Sequence, residues 1–395
     1  MRNNVKVKKR YLVTGGCGFV GRHLVDKLIG EGREIWIIDN LFTGRNPIQW
    51  LDSAFKKTSQ KGSITLYKSK DCSIFFVNED AVDVFAKELK GETLLPSFDD
   101  VFHLASIVGG RELIDGDPLL VAKDLAIDSY FFLWATRKKD KIKRILYASS
   151  SAAYPIQLQN KSDYVALGEE LINFDAQVGL PDMTYGWSKL TGEYLSRLAF
   201  SRYGLSIACV RPFSGYGEDQ DLSYPIPAIG QRVALRENPL TVWGTGRQGR
   251  DFVHIDDCID AFFVILDNIQ DGSGCNIGSG KILSFLEVLS IFSGIEGYKP
   301  KIEALTNKPV GVSFRYSDNS LISEMGWKPK ISNEEGFSRV LIGAKNRVIG
   351  ELISLALNNG KVSSQNSGAS ILKNSEFLKN LAYYNNGALK TSAKL

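Results

Sequence analysis

Tyr185 and Lys189 stand four residues apart in TYGWSKL, a spacing that puts both side chains on one face of a helix. A tyrosine phenol ordinarily titrates at about 10 and is a poor base near neutral pH. An adjacent ammonium favours the phenolate and brings it toward working pH, so the pair suits proton removal from a hydroxyl. Tyr-x-x-x-Lys also arises by chance on solvated helix faces. A second cluster, ILYASSSAAYP at 145–155, ends a strand-like run in three serines. One hydroxyl there can hydrogen-bond the oxygen that reacts, although serines at a strand end are commonly turn formers.

Gly15, Gly18 and Gly21 lie in YLVTGGCGFVGRHLVDKLI, between an apolar run and a helix-periodic stretch. The spacing is G-x-x-G-x-x-G. Side chains at Gly15 or Gly18 would block the turn and the approach of a pyrophosphate to backbone N–H groups, and Gly21 lets the helix lie close to the strand. A glycine-rich turn alone is also a plain strand-to-helix connection. Here IWIIDN follows, and Asp39 falls where an acid binds the adenosine ribose diol. A carboxylate there repels a 2′-phosphate, which favours NAD over NADP, with Arg45 nearby as the feature that keeps NADP open. The other reading of Asp39 is a turn or helix-capping residue. A cationic nicotinamide would reinforce the Tyr185 phenolate.

The elements that must position these groups are legible. Short apolar runs at 10–14, 35–39, 64–69, 100–105, 144–149 and 206–211 alternate with helix-like stretches at 19–31, 80–90, 120–137 and 185–203. That alternation predicts an α/β fold, a doubly wound parallel sheet of Rossmann type with a smaller, discontinuous C-terminal substrate lobe. The expected division is a cofactor domain at 1–212 to which 250–272 returns, a substrate lobe at 213–249 and 273–340, and a partly disordered tail at 341–395. The 395 residues carry a net charge of only +4, and five of the first ten are basic, which reads as a solvated N-terminus rather than a nucleic-acid surface. No apolar run reaches membrane-spanning length. Five scattered cysteines without a Cys-x-x-Cys pair point to reduced thiols in a cytoplasmic protein, and three distant histidines argue against a metal site.

Together the motifs resemble an extended short-chain dehydrogenase/reductase of the NAD-dependent nucleotide-sugar epimerase branch. The resemblance runs from about residue 10 to 330 through VTGGCGFVG, DNLFTGR, VFHLAS, YASSSAAYP, YGWSK, RPFSGYG, RQGRDFVHIDD and NIGSG. It implies NAD contacts at Phe19, Val20, Asn40, Asp71 (toward the adenine), Leu104, Ala105 and Ser106, beside Gly15, Gly18, Gly21, Asp39, Tyr185 and Lys189. It implies that Ser150 is the catalytic serine. It also implies substrate contacts at Ser151, Ser214 and Val242, a diphosphate clamp from Arg250 and Arg315, and a homodimer built on the Tyr185 helix and the one before it. GVSFRYSDNSLISEMGWKP and HLASIVGG are similar to GDP-mannose 3,5-epimerases. For Arg250 and Arg315 the competing reading is a structural salt bridge.

Departures narrow the reaction. Related dehydratases and decarboxylases have a glutamate two positions before the residue matching Tyr154, and 3,5-epimerases a cysteine. Ala152 stands there and moves no proton. Ser214 and Glu218 also replace an asparagine and a proline of the family pattern. The reading is an NDP-sugar epimerase acting at C4 through a transient 4-keto sugar, with UDP or GDP as the nucleotide. An NDP-sugar reductase, a C2- or 3,5-epimerase and a non-catalytic NAD-sensing protein stay open.

Overall fold

RYLVT, EIWII and SIFFV are near-continuous apolar runs, the pattern of strands covered on both faces. The structure is a computed structural model and describes residues 9–30, 34–92, 94–109, 111–160, 165–308 and 310–357. The contacts among these residues divide the chain into two units. The first comprises Met1–Tyr216, Arg247–Ser284 and Pro309–Ser332, and the second Gly217–Gly246, Phe285–Lys308 and Asn333–Leu395. Residues 273–284 and 310–332 fall with the first unit, and the chain from Asn333 with the second.

In the first unit, strands β1 (Arg10–Thr14), β2 (Glu34–Ile38), β3 (Lys56–Lys61), β4 (Ile64–Lys68), β5 (Ser73–Val77), β6 (Phe98–His103), β7 (Ile142–Ala148) and β8 (Ile207–Pro212) join one large sheet. A short strand, β9 (Ser214–Tyr216), follows. The second unit supplies β10 (Leu240–Trp243). The first unit resumes with β11 (Gly249–His254), β12 (Asp271–Ile277) and β13 (Ile282–Ser284), and the last strands are β14 (Ile302–Leu305) and β15 (Phe314–Arg315). The large sheet has the order β12-β8-β7-β6-β1-β2-β5-β4-β3. Its pairs from β12 across to β5 are parallel, as the doubly wound reading requires. After β1 the chain steps out to β2 and β5, and then returns to the other side of β1 with β6. The order therefore reverses between β1 and β6, and ligands of such sheets bind at the strands' carboxyl ends at that switch.

Two apolar layers flank the sheet. On one face α1 (Phe19–Ile29) buries Leu24, Val25 and Leu28 with Ile35, Ile37 and Val210. On the other face α2 (Ala81–Leu89) buries Val84 and Phe85 beside the aromatic side chains Phe131, Phe132 and Trp134. Two short helices, α3 (Arg111–Gly116) and α4 (Pro118–Val121), precede the helix that carries those aromatics, α5 (Asp124–Arg137), and α6 (Met183–Tyr203) packs beside it. Each such side chain taken from water contributes about 1.5–3 kcal/mol before entropic losses.

Two expectations need correction. The run at 64–69 is a strand, but β4 lies antiparallel to β5 in a hairpin at the sheet's edge, and the crossover strand beside β2 is β5. The stretch after 341 is not a tail from its start. After α7 (Pro225–Ala234), α8 (Ile255–Asn268), α9 (Phe285–Glu296) and α10 (Ser320–Glu324), a final helix α11 runs over Asn333–Leu357. In the second unit it packs on α7 and α9, burying Phe337, Val340, Leu341, Ala344 and Val348. Their spacing is helical, and that packing stabilises a segment whose polar composition reads as loop. The remainder of the expected tail, 358–395, lies outside the described residues.

Candidate active site

The glycine turn and the loop after β6 meet at the switch point. Gly15 has φ +69°, a left-handed conformation that side chains disfavour. A Cβ there would fall 2.8 Å from the Ala105 nitrogen. Thr14 ties the two turns together: its Oγ1 accepts from the backbone N–H of Leu104 and of Ala105, both at 3.2 Å. A Cβ on Gly21 would sit 2.3 Å from the Gly15 carbonyl oxygen. Gly18 occupies the N-cap of α1 without a side-chain cap, which leaves the first turn, with Phe19 and Val20, uncovered by any capping side chain. Such a terminus attracts an anion.

Asp39 follows β2 at the same edge. Its carboxylate accepts from the Cys17 N–H at 2.9 Å and from the Leu41 N–H at 2.8 Å. Burial raises its pKa, opposed by those two hydrogen bonds and by the buried Arg22. The side chain of Asn40 is engaged within the protein: Nδ2 donates to Asp80 at 3.1 Å, and Oδ1 accepts from the Phe42 N–H at 3.0 Å. Asp71 is misplaced in the sequence reading. It precedes β5, at the amino end of that strand, roughly 16 Å from the carboxyl edge at about 3.3 Å per residue. The residue that reaches the edge is Asn78, directly after β5. It lines a cavity of about 390 Å³ with Asn46, Ser63, Thr65 and Tyr67.

The reacting pair lies on the other side of the switch. Tyr185 and Lys189 are in the first two turns of α6, and the Lys189 ammonium is 5.7 Å from the Tyr185 ring centroid and 5.6 Å from that of Tyr147. Lys189 is 3% exposed. Ser150 interacts with the Tyr185 hydroxyl. Burial raises the Tyr185 pKa. Lys189 pulls it down, Asp124 pushes it up, and Ser150 and Arg315 pull it down. Lys189 keeps its proton more tightly than usual: burial works against the charge, but Tyr185, Asp124 and Asp128 outweigh it.

The three serines are not equivalent. Ser149 donates to Glu193, whose carboxylate also pairs with the buried Arg211 at 2.6 Å. Ser150 faces Tyr185 and caps the next turn by accepting from the Ala152 N–H at 3.1 Å. Ser151 is buried in that turn. Ala152 abuts the start of α6, where the Asp182 N–H donates to its carbonyl at 3.0 Å and a Cβ on Gly186 would fall 2.4 Å from the same oxygen. Arg211 and Asn276 both hydrogen-bond the Tyr154 hydroxyl, which pins the serine loop.

Arg250 and Arg315 are register partners on β11 and β15. Arg315 is held by two residues that sequence reasoning missed: its Nε donates to Gln159 Oε1 at 2.5 Å, and its Nη2 to Asp182 Oδ2 at 2.8 Å. Arg250 donates to the Gly249 and Val310 carbonyls. Ser214 pairs in register with Phe252 of β11. Val242 belongs to the second unit, where it is buried in β10. Among the described residues no cluster of acids, histidines and cysteines is arranged to hold a metal ion, and no helix is long and apolar enough to cross a membrane.

Comparison with known proteins agrees with this geometry. The model of the NAD dependent epimerase/dehydratase family matches residues 11–278. A Methanocaldococcus jannaschii protein, named provisionally as a UDP-glucose 4-epimerase, is 31% identical over 341 residues, covering 85% of this chain and 98% of that one. UDP-glucuronic acid decarboxylase 1 of Arabidopsis thaliana is 27% identical, covering 87% of this chain and 71% of its own length. A solved mutant of Bacillus cereus UDP-glucuronic acid 4-epimerase, in complex with NAD and UDP-4-deoxy-4-fluoro-glucuronic acid, superposes with a TM-score of 0.68 at 25% identity, over 86% of this chain and 99% of that one. The chain belongs to the NAD-dependent nucleotide-sugar epimerase/dehydratase family, and NAD is its cofactor. The left-handed Gly15, the α1 terminus without a capping side chain and Asp39 at the end of β2 fit that cofactor.

Proposed function

We propose that the chain is a nucleotide-sugar 4-epimerase. Tyr185 takes the proton of the sugar's 4-hydroxyl. Lys189 stabilises the phenolate that precedes this step, and Ser150 shares the hydrogen bond to the moving oxygen. NAD, when bound, supplies the hydride acceptor and donor that a transient 4-keto sugar needs. Gly15, Gly18, Phe19, Val20, Gly21, Asp39 and Leu104 to Ser106 would hold the cofactor, with Asn78 in place of Asp71 toward the adenine. Arg250 and Arg315 would clamp the diphosphate of a UDP- or GDP-sugar, with Ser151 and Ser214 as further substrate contacts proposed.

Ala152 carries the choice of reaction. It packs against the first turn of α6, near the base, yet holds no acid. Loss of water, loss of carbon dioxide and inversion at C3 or C5 each need a proton moved at a ring carbon or its substituent. Inversion at C4 needs only the 4-hydroxyl proton and a hydride. A protein that merely senses NAD has no use for Lys189, buried beside Tyr185.

We also propose a homodimer. Tyr130 and Leu133 of α5 and Trp187 and Tyr194 of α6 are large apolar side chains left exposed on two helices that pack together. A second copy would cover them.

The test of the reaction is product analysis without added cofactor, using UDP-glucose, UDP-glucuronate, UDP-N-acetylglucosamine and GDP-mannose. The expected result is a C4 epimer of unchanged mass from one of them. A product lighter by water or carbon dioxide, or turnover that consumes added NADPH stoichiometrically, contradicts the proposal.

A further inference from the structure

Behind the Tyr185–Lys189 pair lie two carboxylates that the reaction as written does not use. Asp128, on α5, is occupied: Oδ1 bonds His103 Nε2 at 3.1 Å, Oδ2 accepts from the Tyr147 hydroxyl at 2.7 Å, and His103 Nδ1 in turn meets Thr14 Oγ1 at 2.8 Å. That chain reaches the glycine turn and is satisfied at each link. Asp124, one turn earlier, is different. Oδ2 accepts from the Ser106 hydroxyl at 2.6 Å, and Oδ1 from the Ile107 N–H at 2.5 Å. Both donors belong to the loop after β6, beside the glycine turn. Asp124 is 1% exposed.

We propose that Asp124 is a positioning residue of the reaction centre, which fixes the Ser106–Ile107 turn and sets, through its charge, how readily Tyr185 gives up its proton. The inference rests on the reading of Tyr185 as the base. The groups facing Asp124 are Lys189 and Tyr185 from α6, Asp128 from its own helix, and Ser106 and Ile107 from the β6 loop, with His103 and Tyr147 beyond Asp128. Lys189 is the cation among them. An ionised Asp124 holds Lys189 in its charged form and opposes the phenolate, so one side chain supports the ammonium and restrains the base.

A carboxylate kept for stability alone would be a poor choice here. Burial raises its pKa from the ordinary value of 3.8 to about 6, against the pull of Lys189, Ser106 and Ile107. A folded-state pKa above the unfolded one means that its contribution to stability is full at low pH and is lost as pH rises through about 6. At neutral pH the ionised side chain therefore destabilises the fold.

The experiment is an ultraviolet difference titration of the phenolate in the NAD-saturated protein. Each form is read against its own Tyr185→Phe partner, so that only Tyr185 contributes. In Asp124→Asn, which can keep both hydrogen-bond positions without charge, the Tyr185 midpoint should fall by about one pH unit. In Asp124→Glu, which keeps the charge, it should stay near the native value. Asp124→Asn should also melt above the native protein at roughly pH 8, with the gap closing at roughly pH 5. An unchanged midpoint in Asp124→Asn, or failure of both variants to fold, overturns the proposal and makes Asp124 structural. A native protein with no Tyr185-dependent transition overturns the reading of Tyr185 as base, and this inference with it.

Discussion

Arg250 and Arg315 stand side by side on parallel strands β11 and β15 and project from the same face of that sheet. Like charges directly opposite one another repel. Asp182 and Gln159 hold Arg315 in place, and Asp182 sits at the N-cap of the helix that carries Tyr185 without capping it by its side chain. The arrangement suits a doubly charged anion, and it ties the anion's site to the start of the catalytic helix.

Replacing Arg250 or Arg315 by alanine should weaken binding of UDP about tenfold to a hundredfold, since hydrogen bonds between charged groups contribute roughly 1.5–3 kcal/mol. NAD affinity should change far less. Calorimetric titration with both ligands checks this, and equal losses of the two would point to a structural role for the arginines.

Gly15→Ala should lower the melting temperature and weaken NAD binding more than tenfold. The left-handed backbone costs a side chain about 1–2 kcal/mol, and the new methyl would press on the Ala105 nitrogen at 2.8 Å. Thermal melts with and without NAD separate the two effects. Native NAD affinity in this variant would contradict the placement of the pyrophosphate.

Asp39→Asn removes the charge and keeps an acceptor for one of the Cys17 and Leu41 amides, which bond different carboxylate oxygens in the native protein. NAD should then bind about tenfold more weakly, while NADP loses its repulsive partner and gains relative to NAD. The ratio of the two affinities is the measurement. If NADP already binds the native protein more tightly, Asp39 does not read the ribose.

Trp187→Glu on the exposed face of α6 should shift a dimer to monomer in sedimentation velocity, by placing a charge in an apolar contact. A native protein that sediments as a monomer at high concentration would contradict the proposed use of that face.

Local signals explain what could be read without coordinates. The β1 glycine turn, the serine loop and Tyr185 with Lys189 each occupy one short segment, and periodicity placed them on a strand end or a helix. The failures are non-local or insertional. Strand β4 alternates like any half-buried strand, so ITLYK took the place that belongs to SIFFV and carried Asp71 to the wrong end of the sheet. Gln159 and Asp182 meet Arg315 from 156 and 133 residues away. Nothing in a linear pattern marks such partners. Asp124 resembles any acid in the first turn of a helix, and only the fold shows Ser106 and Ile107 turned toward it. The final helix was hidden by composition: its apolar spacing is helical, but Asn, Gly and Lys between the apolar residues read as loop.

The most direct test of the central claim is turnover in deuterium oxide with whichever nucleotide sugar reacts, read by proton and carbon NMR. With Tyr185 moving only a hydroxyl proton, and Ala152 moving none, the product should be inverted at C4 and carry no solvent deuterium on any carbon. Deuterium at C3, C5 or C6 would show that a second group exchanges a carbon-bound proton, and the assignment as a 4-epimerase would fall.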